Sequence, residues 1–261
     1  MSLIGTIESL WRYPVKSMRG EEMEEMFAGY AGVYGDRLFA FRSSASPVGF
    51  PWLTARNQRT MITFRPRFRH PDKAARPVNL FEAQGPGANP LSATPAELML
   101  DVETPSGELL AIDDPALIDR LRAGLDEEHQ LTLLRSDRAM TDARPLSLFS
   151  MQTARALGHE TGLSLDKRRF RANVYLDLTN REGFAENEFV GRSLRLGSDV
   201  VVAVRARDHR CVMINLDPDT AEMNPAVLKQ VAQRHEGAAG VYGAVLEEGL
   251  LRKGDPVELI D

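Results

Sequence analysis

The residue types that could do chemistry gather around the only cysteine of the chain. Cys211 closes the run Arg207-Asp-His-Arg-Cys and precedes the turn-rich Asp217-Pro-Asp-Thr220. A thiolate is a nucleophile and a soft metal ligand. His209 and Arg210 give this thiol cationic company, and Asp208, His209 and Asp217 are candidate proton donors beside it. A lone cysteine in an apolar run would read as a small core residue. This one sits between charged residues and a turn, so both readings stay open.

Three further groups could hold an anion. Val15-Lys-Ser-Met-Arg-Gly20 is a turn that carries Lys16 and the Ser17 hydroxyl, and Arg37 follows Asp36 at the start of an apolar run. Lys16, Ser17 and Arg37 at strand ends could clamp a phosphate through charge-assisted hydrogen bonds. The plain alternative is a solvated lysine and a structural Asp-Arg pair. Arg171 ends the cationic cluster Lys167-Arg-Arg-Phe-Arg at the entrance to a strand. Ser150 precedes a helical pattern, so Ser150, Gln152 and Thr153 could offer free N–H groups to an anion, with simple capping as the competing role.

Periodicity supplies the elements that must position these groups. Alternation predicts strands over residues 3–13, 21–27, 52–55, 61–64, 130–134, 172–178, 192–196, 240–246 and 256–260, and a hairpin joining 96–102 to 108–112. Residues 199–204 read as a strand running up to Cys211, and 212–214 as another leading away. Helices are expected over 115–124, with Asp114 as cap and Pro115 at its first position, over 151–158 ending at Gly158, and over 225–235 with Asn224 as cap. Residues 69–95, rich in Pro, Ala, Gly and Asn, read as a surface excursion. Many short strands with few helices give an α+β, β-rich fold built on barrel-like sheets. A division follows the helix near residues 125–130, giving units 1–126 and 127–261.

Composition limits the function classes. With 261 residues, 43% hydrophobic, 26% charged and a formal net charge of -5, the chain is an ordinary globular protein and not a general nucleic-acid or anionic-membrane binder. One cysteine rules out an intramolecular disulfide and any four-cysteine cluster. No segment approaches the roughly 20 apolar residues that span a bilayer, and residues 1–8 carry no basic-then-apolar leader. The expectation is a cytoplasmic protein.

Tyr13-Pro-Val-Lys-Ser-Met-Arg-Gly20 with Gly35-Asp-Arg37 resembles the N-terminal β-barrel domain of MOSC proteins. Arg169-Phe-Arg-Ala-Asn173, Arg210-Cys211, Asp217-Pro-Asp-Thr220 and Gly254-Asp255 resemble the MOSC domain itself. The chain is most similar to the mitochondrial amidoxime-reducing component and its bacterial relatives. That resemblance implies a MOSC N-terminal β-barrel domain over 1–126, a MOSC β-barrel domain over 127–261, and a molybdenum pterin cofactor (Mo-molybdopterin). It implies that Lys16, Ser17 and Arg37 hold the pterin phosphate, that Arg171, Arg210 and the helix start at Ser150, Gln152 and Thr153 complete the pocket, and that Cys211 ligates molybdenum as the catalytic residue. The implied reaction is a two-electron reduction of an N-hydroxylated compound, its oxygen leaving as water. With no cluster-forming cysteines and no dinucleotide fingerprint, electrons are expected from a separate ferredoxin, flavodoxin or cytochrome with its reductase. A cofactor carrier or sulfur-relay module, and a cofactor-free binding barrel, are the competing readings. Ala172 stands where the family often has Pro, and Asn215 where Thr is common.

Overall fold

A computed structural model describes residues 1–83, 89–143 and 145–260. Its first half contains β1 (Ser2–Arg12), β2 (Glu21–Met23), β3 (Glu25–Gly29), β4 (Gly32–Val33), β5 (Phe39–Ser43), β6 (Arg65–Phe68), α1 (Leu80–Ala83), β7 (Leu100–Glu103), β8 (Leu109–Ala111), α2 (Pro115–Arg122) and β9 (Leu131–Arg135). The second contains β10 (Leu146–Ser150), α3 (Met151–Thr161), β11 (Val174–Leu178), β12 (Ser193–Leu196), β13 (Val200–His209), α4 (Ala226–Arg234), β14 (Ala238–Glu247), β15 (Gly249–Arg252) and β16 (Pro256–Ile260).

The β-rich α+β class holds, and the larger sheet closes into a barrel. Its order is β11-β10-β14-β13-β12-β16-β1, with β1 pairing back onto β11, so these strands form a ring in which only β10 and β11 run parallel. Closure leaves no strand edge in the ring open to further pairing. Ile7, Leu148, Leu176, Leu194, Val202 and Val241 fill its interior, all fully or almost fully buried. The closing seam constrains the sequence, because a Cβ on Gly5 would lie 2.3 Å from the Asp177 carbonyl oxygen of β11. β1 and β2 thus share a sheet with strands that follow residue 127.

The smaller sheets are β5-β9 and β6-β7-β8, built between β1 and β10, and β15-β3-β4, which takes β15 from the end of the chain. The first two enclose a second core of Phe41, Met61, Leu100, Leu117 and Leu121, the last two supplied by the apolar face of α2. Asp114 caps α2 by accepting from the Ala116 N–H at 2.8 Å, and Pro115 occupies its first turn, as predicted.

Several expected elements differ. Residues 61–64 and 212–214 are not strands but parts of 3-10 helices, Arg59–Thr63 and Val212–Asn215. Three or four consecutive apolar residues satisfy either periodicity, and here Ile62 and Met213 pack against each other's segment in one small cluster. Residues 52–55 make a single bridge, Arg42 to Trp52, and 21–27 break into β2 and β3. α3 runs through Gly158 to Thr161 and stops at Gly162, whose φ of 69° is the left-handed conformation that ends helices. β6, β10 and β15 are not predicted by alternation. The excursion at 69–95 contains α1, and its residues 84–88 lie outside the described set.

Candidate functional site

The turn after β1 is knitted to the segment entering β5. The Tyr13 N–H donates to Asp36 Oδ1 at 2.8 Å, the Arg37 N–H to the Tyr13 carbonyl at 2.7 Å, and the Lys16 N–H to the Phe39 carbonyl at 2.8 Å. Ser17 and Arg37 are thereby held at φ 65° and 44°. Across from them, Arg171 ends the 3-10 helix Lys167–Phe170 at φ 51°. Left-handed backbone at non-glycine residues costs on the order of 1–3 kcal/mol each and persists where surrounding structure enforces it. Three such residues therefore converge on one place, a cleft of about 490 Å³ between the smaller sheets and the barrel.

Lys16, Ser17, Arg37, Arg171, Arg210 and Cys211 all line this cleft. The Tyr13 ring lies between two guanidiniums, 4.5 Å from Arg37 and 4.3 Å from Arg171. Arg37 donates to Asp36 Oδ2 at 2.6 Å and to the Arg171 carbonyl at 3.1 Å. Burial disfavours its charge, but Asp36 outweighs burial and holds the Arg37 proton more tightly than usual. Among the described residues Arg171 has no such counter-ion. Burial pushes it down to about 10, Tyr13 opposing, and its buried Nη2 has no hydrogen-bond partner. It remains a cation at neutral pH.

Lys16 donates to the Met140 carbonyl at 2.8 Å and to Asp142, and it faces the Phe50 and Trp52 rings. Burial lowers the Lys16 ammonium, with Asp142 opposing. Burial also favours the neutral Asp142 acid, but Lys16, Arg37 and Arg56 together hold that carboxyl below its ordinary range. Among the described residues the Ser17 hydroxyl meets the Met213 sulfur, at 4.0 Å.

On the barrel wall, Arg210 is committed to the backbone, donating to the Ala239 carbonyl at 2.6 Å and the Phe170 carbonyl at 2.8 Å. Its Nη2 stands 2.8 Å from Asp208 but is too poorly aligned to be a hydrogen-bond donor there. Gly240 makes room for this guanidinium, since a Cβ there would lie 2.9 Å from Arg210 Nη2 and 2.9 Å from the Leu148 carbonyl. Arg210 therefore braces the wall that carries Cys211. Cys211 is half-buried, precedes the 3-10 helix Val212–Asn215, and packs beside Ala55, Ile62, Met213 and Leu216.

The helix start is not part of the cleft. Ser150 and Thr153 are buried, and their hydroxyls donate to Glu186 Oε2 at 2.7 and 2.8 Å, with the Ser150 N–H reaching Oε1 at 3.3 Å. Gln152 reaches the Leu178 carbonyl at 2.5 Å and accepts from the Leu178 N–H at 3.1 Å. The expectation that Ser150, Gln152 and Thr153 complete the pocket is corrected, because the protein's own carboxylate and strand β11 already occupy them. Asp217 also lies outside the cleft lining, holding the Asp219 and Thr220 amides and Arg169.

Several lining residues escaped the sequence reading, among them Arg56, Asp142, Arg169 and Tyr242. Arg169 lay in a quoted motif but was given no role. The lining carries Lys16, Arg37, Arg56, Arg169, Arg171, Arg207 and Arg210 against the carboxylates Asp142 and Asp208. Asp36, Asp217 and Glu236 pair with Arg37, Arg169 and Arg207 from outside the lining, so among the described residues Arg171 is the lining cation without an ion pair. This excess occurs in a chain of net charge -5. Among the described residues no group of three or more His, Cys, Asp or Glu could hold a metal ion. A metal at Cys211 would have to bring other ligands with it.

Residues 4–104 match the MOSC N-terminal beta barrel domain, and residues 135–258 match the MOSC domain. No curated protein matches the chain. Among solved structures, the YUAD protein from Bacillus subtilis is 13% identical over 98% of this chain and 96% of its own, with a TM-score of 0.48. YiiM from Geobacillus stearothermophilus is 20% identical over 45% of this chain and 55% of its own, at 0.36. YiiM from Escherichia coli is 18% identical over 45% and 55%, at 0.34. No helix among the described residues is long and apolar enough to cross a membrane.

Proposed function

Because the chain carries a MOSC N-terminal beta barrel domain followed by a MOSC domain, a kind of domain associated with molybdenum cofactor binding, we propose that the cleft holds a molybdenum pterin cofactor. We further propose that the protein is an oxidoreductase acting on N-hydroxylated compounds. The observation that carries the reading is the unpartnered, buried Arg171 Nη2, in a wall whose other cations each have a carboxylate partner. A buried cation without a counter-ion is unfavourable unless a ligand supplies the charge. A phosphate fits that need, and a half-buried thiol in the same cleft fits a soft metal.

In this reading Arg171, Arg37, Lys16 and Ser17 hold the phosphate. Arg171 carries most of the differential binding, because Arg37 and Lys16 already have Asp36 and Asp142 as partners. Cys211 ligates molybdenum, and Arg210 positions the Cys211 wall through its two backbone bonds. The cofactor supplies the two-electron chemistry when bound. The chain orients the substrate beside Cys211 and admits water only through the cleft mouth. Electrons come from a separate one-electron donor protein of the ferredoxin, flavodoxin or cytochrome class.

The test is direct. The purified protein is analysed for molybdenum and pterin, then assayed on benzamidoxime with a ferredoxin, its reductase and NADH. The reading expects roughly stoichiometric metal, reduction that stops without the donor protein, and loss of metal in Arg171→Met. Absence of molybdenum after expression in a cofactor-competent host would overturn it. Metal present with no turnover of any N-hydroxylated compound would leave a cofactor carrier as the function.

A further inference from the structure

Three acids neighbour Cys211 in sequence, and the fold separates them. Asp217 is used up by its own turn and by Arg169. His209 lines the cleft but is exposed. Asp208 lines the cleft and is only 3% exposed. A register shift between Arg207 and His209 on β13 accompanies this placement, as bulges redirect side chains that strict alternation would send to opposite faces. On the neighbouring, paired strand β14, Tyr242 also lines the cleft, near enough to Asp208 for each group to shift the other's acidity. The other groups facing Asp208 are Arg210, with Nη2 at 2.8 Å, Asp142 and Arg37.

Resting on the reductase reading above, we propose that Asp208 and the Tyr242 hydroxyl are the proton-delivery pair of the cleft. Reduction of R–NH–OH to R–NH₂ and water consumes two electrons and two protons; the N–O bond breaks while one N–H and one O–H bond form. The electrons come from the donor protein. Tyr242 gives one proton to the departing oxygen and is reprotonated by Asp208, and the second proton comes from water at the cleft mouth.

The surroundings suit both members. Burial raises the Asp208 carboxyl above its ordinary value, with Arg210 and Tyr242 opposing, the direction that favours holding a proton. Burial and then Asp208 itself raise the Tyr242 hydroxyl, so it stays protonated until the leaving oxygen takes its proton. Asp208 also stands in a buried ion pair with Arg210, which holds it on the cleft wall beside Tyr242.

Two measurements on wild-type protein, Asp208→Asn and Tyr242→Phe test the pair. Carbon-13 NMR titration of the aspartate carboxyls, without substrate, should show one resonance, missing in Asp208→Asn, that titrates above the ordinary 3.8. In Tyr242→Phe its midpoint should rise further, because the hydroxyl that favours the carboxylate is gone. With benzamidoxime and the reducing system, Tyr242→Phe should lower kcat about 10-fold or more with KM unchanged. The alkaline limb of the wild-type kcat profile should follow the carboxyl midpoint. An ordinary midpoint for Asp208, indifferent to Tyr242→Phe, overturns the pair whether or not anything is reduced. So does wild-type kcat in Tyr242→Phe. A raised, Tyr242-sensitive midpoint in a protein that reduces no N-hydroxylated compound upholds the proton-exchanging pair and overturns the reductase reading instead.

Discussion

Two places in this chain have the chemistry to hold an anion, and they are finished differently. At the start of α3, N–H and hydroxyl donors from Ser150 and Thr153 converge on Glu186, which is fully buried and lies far along the chain. The helix N-terminus favours negative charge and the protein provides it, so the site is closed. At the cleft, cations converge from both halves of the chain, with Arg37, Arg171 and the neighbouring Ser17 in left-handed backbone, yet among the described residues Arg171 has no carboxylate within ion-pair distance. An anion site completed internally supports the fold, whereas one left short of charge has somewhere to put a ligand. The two should respond oppositely to loss of their central charge.

Glu186→Ala should have the largest effect. It strands buried donors at 0% exposed Ser150 and Thr153, and each unsatisfied buried polar group costs about 1–3 kcal/mol. The expected loss is about 3 kcal/mol, read as a lower urea midpoint at unchanged slope. Cofactor content per folded molecule should not change. Arg171→Met should do the reverse, leaving the urea midpoint unchanged or raised because a buried cation without a partner is gone. Pterin and molybdenum occupancy should fall about 10-fold or more. If Arg171→Met destabilised the protein as much as Glu186→Ala, the contrast between a closed and an open site would collapse.

The sequence displays one side of this contrast better than the other. Lys16, Ser17, Arg37, Arg171 and Cys211 are visible because each sits at a strand end or turn, where a charged or reactive side chain has little structural reason to be. Tyr13 and the left-handed backbone that aligns Arg37 with Arg171 are tertiary, set by bonds between segments about 20 residues apart. Glu186 is invisible as a partner of Ser150, because it lies in the acidic run 182–188, which reads as a solvated loop. A helix start with Ser and Thr looks the same whether its anion is a ligand or a distant carboxylate. The barrel is legible strand by strand, but its closure through β1 and β11 is a pairing of residues more than 160 apart that no local pattern encodes. The 3-10 segment after Cys211 resembles a strand in sequence for a related reason. Met213 and Ile214 are buried by different neighbours, not by a sheet face.

A smaller effect tests how far the cleft is already satisfied. Asp142 is more acidic folded than unfolded, so the unfolded chain binds its proton first as pH falls. The stability it contributes is present above the ordinary 3.8 and disappears as pH drops through the lower folded value. Because its side chain is 44% exposed, solvent screening limits this to about 1 kcal/mol or less. Asp142→Asn should therefore flatten the acid limb of urea stability between pH 5 and 3 by about that amount. An unchanged limb would mean that the Lys16–Asp142 contact contributes nothing, leaving Lys16 as available to a ligand as Arg171.

The smallest change asks whether α3 needs the charge of Glu186 or only its oxygens. Glu186→Gln keeps the volume and one acceptor but replaces the other oxygen with a donor. With its oxygen at the Oε1 position the amide still accepts from the Ser150 N–H, and the Ser150 and Thr153 hydroxyls can rotate to accept from its NH2 in place of donating to Oε2. Hydrogen bonding alone then predicts a loss of about 1 kcal/mol, well short of the alanine variant. The charge interacts with the helix start at a further cost of about 0.3–1 kcal/mol, rising to about 2 in buried geometry. Urea midpoints of the two variants at pH 7 separate these contributions. A glutamine variant as unstable as the alanine variant would show that α3 requires an anion there, making Glu186 a bound carboxylate in all but covalent connection. The comparison with the cleft would then rest on charge itself.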